Sequence, residues 1–104
     1  MSKYTFGLSE EAVHKINGVF SKHTKIEKAV VYGSRAKGNY KPSSDIDLVL
    51  FGSALTTTDL LAVENDLDDL LLPYQIDLSI YHHIDNNDLI EHINRAGKTF
   101  FSAS

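Results

Sequence analysis

The sequence has 104 residues, of which 42% are hydrophobic and 23% are charged, and its formal net charge is −4 at pH 7. This length and composition predict a folded protein with one domain over residues 1–104, rather than a disordered chain. The acidic balance argues against extended binding to nucleic acid, which normally uses a basic surface. Cysteine is absent, which excludes disulfides and thiolate zinc sites. Because no apolar run is long enough for a membrane span or a signal peptide, we expect a cytoplasmic protein that does not contact membranes.

The first part of the chain is predicted to form a helix and then a strand that ends at a glycine. Ser9 is a favourable N-terminal cap for a helix with one apolar stripe. Residues 29–32 predict a short β-branched strand that Gly33 ends, followed by a helical turn over residues 34–37. Turn-forming residues then carry the chain back toward the sheet. The apolar stripe of the helix contains the residues Ala12, Val13, Ile16, Val19 and Phe20.

Two more strands are predicted, with a helix between them. In the strand over residues 45–51, Ile46, Leu48 and Leu50 lie on one face. The other face carries Asp45 and Asp47, followed by Val49 and Phe51. Residues 59–71 predict a helix, and residues 75–81 alternate again as a third strand. The helix has a broad apolar face, which contains the residues Leu60, Leu61, Val63, Leu67, Leu70 and Leu71.

The last predicted helix begins after a cap at Asp85 or Asn86 and ends at Gly97. The apolar segment 98–101 then adds a short strand or docks on a neighbour. The order of elements predicts an α+β fold, with a small mixed β-sheet and helices packed on one of its faces. The buried stripe of the last helix contains the residues Leu89, Ile90 and Ile93.

The chemistry suggested by the sequence centres on three carboxylates. Asp45 and Asp47 project from one face of their strand, with bases about 6.5 to 7 Å apart. If Asp77 lies on the adjacent strand, about 4.8 Å across the sheet, it joins them. Three carboxylates this close repel one another unless they bind a cation or one takes up a proton. Magnesium suits such a site because it prefers hard oxygen ligands.

The turn before these carboxylates is suited to phosphate. Gly33 allows the backbone to approach a ligand closely, and Ser34 begins a helical turn with free N–H groups and a hydroxyl. A phosphate site and a metal site are thus joined by one loop. Two metals can stabilise the attacking and leaving oxygens of an in-line displacement at phosphorus, so the pattern suggests nucleotidyl transfer.

Gly33 and Ser34, ten intervening residues, and then Asp45-Ile46-Asp47 form a specific pattern, with Asp77 on a later strand. This pattern resembles the DNA polymerase beta-like nucleotidyltransferase superfamily. The short chain narrows the resemblance to the minimal nucleotidyltransferase (MNT) family, the usual partner of HEPN-domain proteins in prokaryotic toxin–antitoxin pairs. The resemblance covers about residues 10–100 and implies the two-layer nucleotidyltransferase fold.

The resemblance also implies roles for individual residues. Gly33 and Ser34 would hold the nucleotide phosphates, and Asp45 and Asp47 would bind two magnesium ions. Asp77 would complete the metal site and help to activate the attacking hydroxyl, with ATP as the substrate. Supporting nucleotide contacts are expected from the residues Arg35, Lys37 and Ser44.

The function implied by the resemblance is transfer of AMP from ATP to a tyrosine hydroxyl of a HEPN toxin, within a hetero-oligomer that silences the toxin. A different class of function is also open, in which the chain neutralises its partner by covering it. The apolar residues near the C-terminus motivate that alternative. Transfer to a small molecule is a third possibility, which the lack of a second domain disfavours.

The remaining polar residues are predicted to have structural positions. His82 and His83 are adjacent on an extended segment, so their side chains point apart and do not easily share a metal. Solvated helix surfaces are expected for the residues His14, His23, Glu64, Asp66, Asp68, Asp69 and His92.

Overall fold

The computed structural model describes residues 4–103, and the side chains of residues 6–103. The strands are β1 (Tyr4–Thr5), β2 (Leu8–Ser9), β3 (Lys28–Tyr32), β4 (Ile46–Phe51), β5 (Ile76–Ile80) and β6 (Lys98–Ser102). The helices are α1 (Glu10–Lys22), α2 (Ser34–Lys37), α3 (Thr57–Asp68) and α4 (Asn87–Ala96), with a 3₁₀ turn at Tyr81–His83. Among the described residues, no helix has the length and hydrophobicity that spanning a bilayer requires.

The main sheet has four strands in the order β5-β4-β3-β6. Strand β3 is antiparallel to both of its neighbours, whereas β4 and β5 are parallel. The predicted small mixed sheet is therefore confirmed. The apolar segment near the C-terminus becomes β6, which pairs with β3 and buries Phe100. A separate hairpin of β1 and β2, which the sequence did not predict, precedes α1.

The helices do not all lie on one face of the sheet, so this part of the fold prediction is wrong. Helices α1 and α3 pack on the face that carries Val31 and Leu48, where the larger core lies. Helix α4 packs on the opposite face, where Ile93 joins Val30 and Val49 in a second buried cluster. The reason is that β3 and β4 carry apolar residues on both faces, and each apolar face requires a cover.

Helix α3 is shorter than the sequence predicted. A capping box between Thr56 and Asp59 fixes its start at Thr57, and it ends at Asp68. Of the predicted apolar face, only Val63 and Leu67 are buried. The remaining leucines are partly or largely exposed, and Leu71 lies beyond the helix with a φ of 55°.

Side-chain caps define the starts of the two other long helices. The Ser9 hydroxyl accepts a hydrogen bond from the Ala12 N–H (3.1 Å) and caps α1, as predicted. Of the two candidate caps for α4, the structure uses Asn86. The Asn86 carboxamide oxygen accepts hydrogen bonds from the N–H groups of Asp88 (3.0 Å) and Leu89 (3.2 Å). These capping hydrogen bonds define the first turn of each helix.

Two leucine truncations test the assignment of the core. Leu50 is fully buried between the sheet and its helices, whereas the side chain of Leu61 is 56% exposed. We expect Leu50→Ala to lower the free energy of unfolding by about 2 to 5 kcal/mol because it leaves a cavity. The matched variant Leu61→Ala should change it by no more than about 0.5 kcal/mol. Urea unfolding of both variants provides the measurement, and equal losses would contradict the assignment.

Candidate active site

Three side chains form a row across neighbouring strands of the sheet. Asp47 on β4 is paired with Asp77 on β5, and Tyr32 on β3 is paired with Asp47. Residues that pair across a sheet share a face, so the three side chains lie on the face that α4 partly covers. Asp45 lies one residue before β4 and is exposed. The structure therefore brings the three predicted carboxylates to one edge of this face.

The electrostatics of Asp47 reflect its crowded position. Burial raises the pKa of the Asp47 carboxyl above its ordinary value, and the charges of Asp77 and then Asp45 raise it further. Asp47 is only partly buried, and Asp45 and Asp77 are exposed. The site thus concentrates negative charge where β4 and β5 begin. A bound cation or a proton would reduce the repulsion between these carboxylates.

Tyr32 belongs to this row, although the sequence analysis gave it no role. Its side chain is 8% exposed. Burial raises the pKa of the Tyr32 phenol most, and the charges of Asp47 and Asp77 raise it further, while a hydrogen bond with Ser79 acts in the opposite direction. A signal in the sequence was available, since Tyr32 directly precedes Gly33 at the end of a strand. The pairing of β3 with β4, which the sequence alone does not show, places Tyr32 on the same face as Asp47.

Helix α4 brings His92 to the same face. The His92 ring lies 6.3 Å from the Tyr32 ring, centroid to centroid, in an edge-on arrangement. The sequence placed His92 on a solvated helix surface, and the structure instead has it partly buried beside the aspartate row. This position follows from the packing of α4 on the face that the fold prediction left uncovered.

Gly33 joins the turn to the aspartates through a very close approach. Its φ of 73° is one that residues with a side chain rarely adopt. A Cβ atom at this position would lie 2.5 Å from the Asp47 Oδ2 atom. Glycine adopts this φ without strain and leaves room for the Asp47 carboxylate, and Ser34 follows it directly as the first residue of α2. The predicted phosphate turn and the predicted metal ligand are therefore in direct contact.

Arg35 has a different position from the one that the sequence predicted. It is 2% exposed, and its guanidinium donates hydrogen bonds to three backbone carbonyls. The acceptors are Ser44 (2.8 and 3.2 Å), Phe6 (2.9 Å) and Pro42 (3.3 Å). The prediction that Arg35 contacts the nucleotide is not supported, because its donors are used inside the protein. Arg35 instead fastens the loop between α2 and β4.

Ser44 and Lys37, the two other residues predicted to support nucleotide binding, have different positions. The Ser44 hydroxyl accepts a hydrogen bond from the Lys41 N–H (2.8 Å), and its carbonyl accepts from Arg35, so Ser44 holds the loop closed. Lys37 is exposed at the end of α2 and has no ion-pair partner among the described residues. Lys37 alone of the three presents a free charge near the turn.

The donor set fits magnesium, although the aspartates are not already gathered around one point. Within residues 4–103, no three His, Asp or Glu side chains converge as a metal site. Magnesium usually binds through one or two carboxylates, with phosphate oxygens and water completing its octahedron. The pair of Asp47 and Asp77 provides two carboxylates on adjacent strands. Burial and the neighbouring carboxylates raise the pKa of Asp47, because they disfavour its negative charge. A bound magnesium ion would neutralise that charge.

Substitution of Gly33 tests the close approach to Asp47. We expect Gly33→Ala to destabilise the fold, because both its φ and its Cβ position are strained. The matched control is Gly18→Ala on α1, where a Cβ atom would meet no atom within 4 Å. That change should stabilise the fold by about 0.5 to 1 kcal/mol. Thermal unfolding of the two variants gives the comparison, and a neutral Gly33→Ala would contradict the geometry.

The crowding of carboxylates predicts a dependence of stability on pH. Because the pKa of Asp47 is higher in the folded state, the folded state gains stability from Asp47 at low pH and loses it as the pH rises through that pKa. Asp47→Asn should therefore melt at a higher temperature than the wild type at neutral pH, without added metal. The difference should vanish below about pH 4, where the carboxyl is protonated in both states. A difference that grows on acidification would contradict this expectation.

Comparison with known proteins places the chain in a family. Residues 14–104 match the family model described as "Polymerase beta, Nucleotidyltransferase". No curated protein matches the sequence. A crystal structure of a toxin–antitoxin with AMP-PNP has a chain of the same fold, with 19% identity and a TM-score of 0.71. The match covers 88% of this chain and 74% of that one.

Two further solved structures show the same fold. One is the tri-AMPylated Shewanella oneidensis HEPN toxin in complex with MNT antitoxin, with 17% identity, a TM-score of 0.66, and coverage of 90% of this chain and 72% of that chain. The other is the toxin–antitoxin MntA-HepT, with 16% identity, a TM-score of 0.66, and coverage of 91% and 74%. The expected nucleotidyltransferase fold is confirmed. The chain belongs to the polymerase beta nucleotidyltransferase family, and it is a nucleotidyltransferase by that membership.

Proposed function

We propose that this chain uses magnesium and ATP to transfer AMP to a tyrosine hydroxyl of a HEPN-domain protein, and so silences that protein within a hetero-oligomer. The observation that carries the proposal is the contact between the turn at Gly33 and Asp47, with Asp77 paired beside it. The proposal is supported by the fold, which is shared with toxin–antitoxin structures that include AMP-PNP and a tri-AMPylated HEPN toxin.

In the proposed mechanism, the chain first positions the triphosphate. The Ser34 hydroxyl and the backbone at Gly33 bind phosphate oxygens, and the exposed Lys37 adds a positive charge nearby. Asp45, Asp47 and Asp77 would hold magnesium, which would supply positive charge to the triphosphate and to the attacking and leaving oxygens. The close fit of Gly33 against Asp47 keeps the phosphate turn and the carboxylates in one fixed relation.

The transfer step then needs a base beside the acceptor. Asp77 accepts the proton of the incoming hydroxyl, whose oxygen forms a bond to the α-phosphorus. The bond from that phosphorus to the bridging oxygen breaks, and pyrophosphate leaves. Asp77 suits this role because it is exposed on β5, an edge strand, whereas Asp47 lies between two strands and is partly buried. The acceptor therefore approaches from the β5 side of the site.

The structure does not support the alternative in which the chain neutralises its partner by covering it. The apolar segment near the C-terminus forms β6, where Phe100 is buried against the core. Phe101 is partly buried in the same cluster. These side chains serve the fold of this chain, so they do not favour a masking role.

Removal of one carboxylate tests the proposed chemistry. We expect Asp47→Asn to lower the rate of AMP transfer to the HEPN-domain partner by about 100-fold or more, because the metal site loses a charged ligand. The control is Glu11→Gln, which removes one charge from α1 on the other side of the sheet and should leave the rate unchanged. Radiolabelled ATP with and without magnesium provides the measurement. Full activity of Asp47→Asn would refute the mechanism.

A further inference from the structure

The hydroxyl of Tyr32 is a polar group in a buried place. Tyr32 is 8% exposed and belongs to the second buried cluster, together with Val30, Val49 and Ile93. A phenylalanine ring would fill the same space, and a buried hydroxyl costs free energy unless it forms hydrogen bonds. The hydroxyl therefore needs polar partners on this face of the sheet, and those partners indicate what it does.

The strand register shows where the Tyr32 ring lies. Tyr32 on β3 is paired with Asp47 on β4, whereas Ser79 on β5 is paired with Val49. The Tyr32 hydroxyl forms a hydrogen bond with the Ser79 side chain. Because β4 lies between β3 and β5, the ring reaches that bond across β4, between Asp47 and Val49. The phenol thus connects three strands beside the carboxylates.

Helix α4 fixes the ring of Tyr32 from outside the sheet. The His92 ring lies 6.3 Å from the Tyr32 ring, centroid to centroid, and the two ring planes are 78° apart. Rings in such an edge-to-face arrangement attract one another. The ring is therefore held by His92 on α4 and its hydroxyl by Ser79 on β5.

The proton of the Tyr32 hydroxyl is left for another acceptor. Burial raises the pKa of the phenol, and the charges of Asp47 and Asp77 raise it further, so the hydroxyl keeps its proton at neutral pH. The bond with Ser79 lowers that pKa, which is the effect of a serine hydroxyl that donates to the phenol oxygen. The phenol can then donate its own proton, and the strong acceptors in the row are the two carboxylates.

We propose that Tyr32 is a positioning residue of the metal site, whose hydroxyl, anchored at Ser79, holds the pair of Asp47 and Asp77 in the arrangement that binds magnesium. The ring limits how far the Asp47 side chain swings toward β3, and the O–H group supplies a donor for a carboxylate oxygen that does not face the metal. At 8% exposure, Tyr32 acts through the carboxylates and not by contact with the nucleotide.

The inference rests on the proposed magnesium site and deepens it, because it names a residue that the site needs beyond its ligands. Side chains that orient metal ligands typically contribute about 10- to 100-fold to metal affinity or activity. Loss of the Tyr32 hydroxyl should therefore appear in the magnesium requirement of the chain.

One pair of variants separates this role from packing. Tyr32→Phe removes the hydroxyl and keeps the ring that contacts His92. Its matched control is Tyr81→Phe, which makes the same change beside the same buried cluster. Tyr81 stacks on Phe51 (4.3 Å) and its hydroxyl donates to the Asn94 carboxamide oxygen (3.2 Å). It directly follows the last residue of β5, whereas the aspartates lie where β4 and β5 begin.

The probe is α,β-methylene ATP, in which the bond that the proposed reaction breaks is replaced, so that binding is measured without transfer. Calorimetry gives its affinity for the full chain over a series of magnesium concentrations. We expect Tyr32→Phe to raise the magnesium concentration for half-maximal tightening by about tenfold or more. Its affinity for the analogue without magnesium should stay within about twofold of the wild type, because the turn at Gly33 is unchanged. Tyr81→Phe should match the wild type in both quantities.

Removal of the anchor gives a second measurement, which also decides the matter if Tyr32→Phe does not fold. Ser79→Ala should raise the same magnesium concentration by about threefold or more, because the phenol loses the bond that holds it. In the Tyr32→Phe background, Ser79→Ala should add no further change, since the two hydroxyls act as one unit.

The outcomes distinguish this inference from the proposed function. A magnesium requirement within twofold of the wild type in both Tyr32→Phe and Ser79→Ala overturns the positioning role alone. An equal rise in Tyr81→Phe also overturns it, because loss of any phenol beside this cluster then has the same effect. Affinity of the wild type that does not depend on magnesium overturns both the inference and the proposed metal chemistry. A raised requirement in Tyr32→Phe, without transfer of AMP to a HEPN-domain protein by the wild type, supports the positioning role and refutes the proposed acceptor.

Discussion

The site depends on the contact between the backbone at Gly33 and the carboxylate of Asp47. Because a Cβ atom at position 33 would crowd the Asp47 carboxylate, glycine lets strand β3 end directly against the carboxylate that β4 supplies. This contact sets where Ser34 and α2 begin, and it places the turn that is proposed to bind phosphate beside the row of aspartates. A second constraint comes from Arg35, a buried charge whose four side-chain hydrogen bonds go to carbonyls from the hairpin and from the returning loop. A buried guanidinium without these partners would be very costly, so the loop that leads to Asp45 is held firmly in place.

The two faces of the sheet have different tasks. One face is apolar along most of its length and joins α1 and α3 in the larger core. The other is apolar at Val30, Val49 and Phe51, beside Ile93 of α4, and it becomes polar toward Asp47 and Asp77. A single strand thus contributes to both packing and chemistry through alternate residues. The packing of α4 brings His92 beside Tyr32, so the partial cover of this face also forms one wall of the site.

The sequence predicts those features that depend on neighbouring residues. Alternation along β4 predicts that Asp47 points away from the larger core, and the strand pairing confirms it. The prediction that Ser9 caps the first helix is also confirmed. The features that were missed depend on distant partners. The burial of Arg35 depends on a carbonyl at Phe6, 29 residues away, and the role of Tyr32 depends on strand register. The leucines after α3 continue a helical pattern in the sequence, but the local turn ends the helix and leaves Leu71 in solvent. Local patterns do not encode such pairings, because tertiary contacts decide them.

The central claim is that the aspartate row acts on the α-phosphorus of ATP and not on the terminal phosphate. The most direct measurement supplies the chain and its proposed HEPN-domain partner with magnesium and ATP that is radiolabelled either at the α or at the γ phosphate. We expect that only the α label becomes attached to the partner, while the γ label is released in pyrophosphate. Transfer of the γ label to the partner would contradict it, since that outcome requires phosphoryl transfer by a differently placed site.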